Sequence, residues 1–179
     1  MKKLSIITAS LLAFAAASAS ADERIRTRMT GYQEVPSVST AAEGELEVKI
    51  HRDGKAFDWV LSYSGLQGDV LQAHIHFAQK SVNGAIVVWL CGSATNPGPA
   101  GTPACPQSGT VSGTAMNADV GPGAPTQQLT AGEATAIEEV IAAMRAGVAY
   151  ANVHTSLSPG GEIRGQIGRS RGRGQAHRH

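Results

Sequence analysis

"LQAHIHFAQ", residues 71–79, decides how this chain is read. On a β-strand, successive side chains point to opposite faces. Leu71, Ala73, Ile75 and Phe77 therefore line one side of the segment, while Gln72, His74 and His76 line the other. One side suits a hydrophobic core. The other carries two imidazoles about 7 Å apart along the backbone, given a rise of ~3.3 Å per residue. From that spacing two rings can converge on one metal ion. The same pattern also occurs on a solvated strand face, so alone it is a weak signal.

Working outward, strand-like runs recur along the chain. They are RIRTRMTG (24–31), GELEVKIHR (44–52), AFDWVLSYS (56–64), VLQAHIHFA (70–78), AIVVWLC (85–91), GTVSGTAM (109–116), VAYANVHT (148–155) and GEIRGQIG (161–168). Turn signals separate them, among them Asp53-Gly54, Gly65 to Gly68, Asn83-Gly84 and Pro159-Gly160-Gly161. Many short strands with such punctuation predict a mainly β, antiparallel sandwich or barrel. One segment departs from this. In LTAGEATAIEEVIAAMRAG (129–147), Ile137, Ile141 and Met144 recur at helical spacing. Thr130 and Glu133 fit a capping box and Gly147 a helix stop, which predicts about four turns of helix before the last strands.

The N-terminus sets the compartment. Lys2 and Lys3 precede an apolar stretch from Leu4 to Ala17, and small residues follow to Ala21. This is the pattern of a secretory signal peptide cut after Ala21, which places the protein in the periplasm or outside the cell. No later segment approaches the ~20 apolar residues of a membrane-spanning helix. The remaining stretch, 22–168, is long enough for one domain with its own core. Its 14 acidic residues outnumber the basic ones once Lys2, Lys3 and the tail arginines are set aside, which argues against nucleic acid as a partner. The tail, 169–179, is Gly/Arg-rich and reads as disordered. Cys91 and Cys105 are the two cysteines. In an oxidising compartment they are expected to pair, tethering the Gly/Pro-rich stretch between them.

Of the six histidines, His51 ends a strand beside a turn, and His177 and His179 lie in the tail. His154 matters more. In VAYANVHT, Ala149, Ala151 and Val153 share one face, and Tyr150, Asn152 and His154 share the other. His154 is thus expected to point outward from the core, as His74 and His76 do, and three histidines from two strands could form one site. Met116, Asp119 and Tyr150 are further possible donors. Other chemistries find little support. There is no G-x-S-x-G nucleophile elbow, no phosphate-binding loop follows a strand, and Glu138-Glu139 reads as a solvated helix face. Trp59 and Trp89 read as core residues.

The stretches GYQEVPSVSTAAEG, AHIHFAQKSVNGAIVVWLC and AGVAYANVHTSLSPGGEIRGQI together resemble the CHRD domain, named after chordin and found in many secreted bacterial proteins. The likeness runs over roughly 28–168. A more distant resemblance is to the Cu/Zn superoxide dismutases, whose β-sandwich holds copper through an H-x-H pair and a later histidine on another strand. It implies a Greek-key sandwich of immunoglobulin or dismutase type, with His74, His76 and His154 as metal ligands. It also implies Arg164 in the place of the dismutase arginine that guides an anion to copper, although a structural ion pair is the stronger reading of Arg164. No histidine lies between Phe77 and Asn152, so the dismutase zinc site has no counterpart. Copper is the expected ion, with zinc as the alternative. Two functions follow as expectations. One is an exported copper-binding protein, which sequesters the metal or, if it is an enzyme, turns over superoxide. The other is a structural or interaction module without metal, serving an unknown protein partner.

Overall fold

The computed structural model describes residues 22–121, 127–129 and 134–168. The expected signal peptide and the basic tail lie outside this range, as do Thr130 and Glu133 of the expected capping box. Eight strands form: β1 (Glu23–Thr30), β2 (Glu43–Ile50), β3 (Ala56–Ser64), β4 (Val70–Phe77), β5 (Ala85–Gly92), β6 (Gly109–Met116), β7 (Ala149–Thr155) and β8 (Ile163–Ile167). Each coincides with an expected run to within two residues at either end. All pairings are antiparallel, in the order β5-β4-β7-β8-β1-β2-β3-β6. The two outermost strands approach each other, and just beyond β6 a bridge from Val120 to Val88 of β5 almost closes the sheet. Strands β4, β5 and β6 follow in succession, β7 returns beside β4, and β6 lies beside β3. This is Greek-key connectivity within a sandwich-like shell.

Alternation explains the core. Ile25 and Met29 on β1, Leu46, Val48 and Ile50 on β2, and Phe57, Trp59 and Leu61 on β3 are all buried. The intervening arginines and glutamates of β1 and β2 face outward, where Arg24 and Arg26 meet Glu47 and Arg28 meets Glu43.

One helix, α1 (Ala136–Ala146), precedes β7 and buries Ile137, Ile141 and Met144 as its spacing predicts. It has three turns rather than four because it begins only at Ala136. Its N-terminal cap comes from far away in sequence: the side-chain oxygen of Asn117 accepts from the Ile137 amide at 2.9 Å. Gly147 ends it in the left-handed conformation, φ 73°, which glycine adopts without steric cost. Cys91 and Cys105 form a disulfide.

Bulges shift what alternation alone predicts. Between Val70 and Gln72 the register with β7 slips, so Val70 enters the core and Leu71 is only half-buried. On β5 the pairing skips Leu90 and then Val87, sending both into the core. Trp89 consequently pairs directly with His74 and faces the histidine side. It is half-buried there, not the core residue expected from sequence.

Candidate metal centre

His74 and His76 sit on β4, and His154 on the adjacent β7. In the register Gln72 opposes His154 and His74 opposes Asn152, so His154 lies diagonally across from His74. All three point away from the hydrophobic core, yet they are not outward in the sense of solvent: they are 0%, 6% and 7% exposed. Three connecting segments cover that face. Residues 31–38 bring Glu34 against Gly161, 79–84 bring the Gly84 carbonyl to His76, and 156–161 bring the Pro159 carbonyl to His154. Gly84 must be glycine, since a Cβ there would collide with the Phe77 backbone.

Burial keeps the rings neutral. Desolvation pushes His74 down to about 2, helped by the neighbouring His154 and His76. It pushes His76 down to about 4 against the opposing bond to Gly84. His154 is also lowered by desolvation. A neutral imidazole carries one N–H and one lone pair. His76 Nδ1 lies 3.0 Å from the Gly84 oxygen, which can only accept, so Nδ1 holds the proton and Nε2 is a lone pair. His154 Nδ1 lies 2.9 Å from the Pro159 oxygen, which fixes the same tautomer.

The centre is therefore rich in acceptors and short of protons. His154 Nε2, a lone pair, faces His74 Nδ1 at 3.3 Å and a second acceptor, Asn152 Oδ1, at 3.0 Å. His76 Nε2 is buried with no partner, as is His74 Nε2. One nitrogen from each ring falls within a group whose atoms all lie within 4.8 Å of one another. Such a group could hold a metal ion, with Gly84 and Pro159 orienting two ligands from behind.

Arg164, expected as an anion guide or an ion pair, is only 1% exposed. It donates to the Val82 carbonyl at 2.8 Å and to Asn83 Oδ1 at 3.1 Å, and it lies 3.4 Å over the Tyr150 ring. Tyr150 in turn stacks on His76 at 4.7 Å, and its hydroxyl accepts from the Gly84 amide. These contacts make Arg164 a buried brace between β8 and the 79–84 loop. Asp119 is outside the histidine group and accepts from the Met116 amide, and Met116 is half-exposed. Sequence reasoning passed over two neighbours. One is Trp89, hidden by the bulges. The other is Glu34, a buried acid that desolvation raises to about 7 and that bonds the Asn152 side chain. An acid amid the apolar and small residues that follow Gly31 was the available signal.

The fold and this site define a β-domain with a closed three-histidine group. The family model of the CHRD domain matches residues 25–167, and the chain belongs to that family. No curated protein and no solved structure matches it.

Proposed function

We propose that this is an exported metal-binding protein that holds one copper ion through His74, His76 and His154. The carrying observation is the grouping of three neutral, buried rings, each offering one nitrogen within 4.8 Å of the others, with His74 Nε2 and His76 Nε2 left without a hydrogen-bond partner, a deficit of donors around the centre. A cation removes that deficit. Imidazole ligands suit copper and zinc, and at equal geometry the divalent series favours copper. The burial of all three rings supports holding the ion over turning over a substrate, because nothing in the group stands open to solvent. When bound, copper would supply one-electron redox capacity. The chain's own part is to orient the rings through Gly84 and Pro159 and to exclude water.

Metal analysis of the purified protein after loading with Cu(II) or Zn(II) tests this reading. One equivalent is expected in the wild type and none in either His74→Ala or His154→Ala. Undiminished uptake in those variants, or uptake that disappears when 169–179 is deleted, would favour the metal-free interaction module instead. A superoxide assay on the copper-loaded protein separates storage from catalysis.

A further inference from the structure

The roof over the histidines is not uniform. Between the 31–38 and 156–161 segments it leaves a cleft of about 320 Å³, with Pro36, Ser37 and Gly160 exposed at its rim. Glu34 lines this cleft. Among the described residues the rest of the lining is uncharged, with Val35, Pro36 and Val38 from the first segment and Ser158 and Gly160 from the second.

Glu34 is 4% exposed, and its Oε1 has no hydrogen-bond partner. Burying a carboxylate oxygen unpaired is costly, and in a folded chain such an atom calls for an explanation, a bound ion among them. Gly161 keeps the space beside that oxygen: its φ is 125°, and a Cβ there would collide with Oε1. Arg164 acts on the acid through space, but its guanidinium donates to Val82 and Asn83. The other buried acid nearby, Glu162, is satisfied, since it accepts from Thr40, Thr155 and the Gln67 amide.

Glu34 also reaches inward. Its carboxylate bonds the Asn152 side chain, and Asn152 Oδ1 lies 3.0 Å from His154 Nε2. One side chain therefore separates an acid at the cleft from a ligand nitrogen of the centre. The other covers offer no such route, because the Gly84 and Pro159 carbonyls are each already bonded to a ring.

We propose that this cleft is the port through which the ion reaches the histidines, and that Glu34 is its first, transient ligand. This rests on the metal-binding reading and adds the order in which the ion meets its ligands. A carboxylate at the base of an otherwise uncharged cleft concentrates cations there and raises their association rate. Asn152 then lies between that first stop and the three rings.

The rate of Zn(II) uptake tests the port, with time points stopped by excess chelator and the protein-bound zinc measured at two ionic strengths. At pH 8 the acid, held up at about 7, is largely ionised. Glu34→Gln is expected to reach the same one equivalent as wild type but about tenfold more slowly, the lower end of what a charged cleft contributes to association. The lead of the wild type should shrink as salt rises. Ser37→Lys, which sets a cation at the rim, should also slow uptake, while Val82→Lys, exposed on the 79–84 loop and outside the cleft, should not. An unchanged rate in Glu34→Gln or Ser37→Lys, an equal slowing in Val82→Lys, or loss of the bound equivalent in Glu34→Gln overturns the port and leaves the histidine site standing. If wild type takes up no Zn(II), the metal reading falls and the port falls with it.

Discussion

Desolvation of the histidines has a consequence for stability that can be read with pH. In the unfolded chain each imidazole takes up a proton near 6.5, whereas in the fold His76 resists until about 4 and His74 until about 2. Between these limits the unfolded state binds more protons, so stability falls as pH drops below 6.5, by up to about 1.4 kcal/mol per pH unit for each ring. Glu34 works in the opposite sense. Its acid is held up at about 7 against 4.5 when unfolded, so its contribution is present below 4.5 and is lost as pH rises through 7. With three rings against one acid, the rings dominate, and the metal-free protein should be most stable above about pH 7, where the unfolded imidazoles have lost their protons. Its urea midpoint should fall steadily from pH 6.5 to 4.5, and Glu34→Gln should steepen that fall. A midpoint that is flat or rising over this range would mean the rings are not buried in their neutral form. The facing of His74, His76 and His154 was legible from alternation alone. Their burial was not, because it depends on loops 31–38, 79–84 and 156–161, whose paths no periodicity encodes.

The elements themselves were largely written in the sequence. Period-two runs bounded by Gly and Asn marked all eight strands, and the Ile137–Ile141–Met144 stripe marked the helix. What escaped were the bulges, since an extra residue in one strand is defined only by its partner. Trp89 is the casualty: strict alternation would have put Leu90 opposite His74, and the skip replaces an aliphatic neighbour with an aromatic one. The cap of α1 escaped for a similar reason, because Asn117 reaches it from another part of the chain. The disulfide was readable and its effect is calculable. It closes a segment with a sequence separation of 14, for which the chain-entropy model gives about 3 kcal/mol. The Cys91→Ser/Cys105→Ser double variant should lose stability of that order in urea titrations. A loss well under 1 kcal/mol would show that the loop is held by its backbone bonds to Gly92 instead, from Cys105 to its carbonyl and from its amide to Pro103.

At the scale of the molecule, the nearly shut sheet could not have been foreseen from the strands one by one. It depends on the order in which they pair, and on a bridge from Val88 of β5 to Val120, which lies beyond the end of β6. That shell fixes the histidines on its outer wall and leaves the connecting segments to roof them over. The roof carries a kinetic consequence. An ion seated among the three rings cannot meet an external chelator until Glu34, Gly84 or Pro159 moves aside with its loop. Stripping should therefore proceed at a pace set by the protein's own breathing. With excess chelator, the half-time of metal loss from the loaded protein should stop shortening as more chelator is added, and a half-time that keeps falling in proportion would mean the doorway stands permanently ajar.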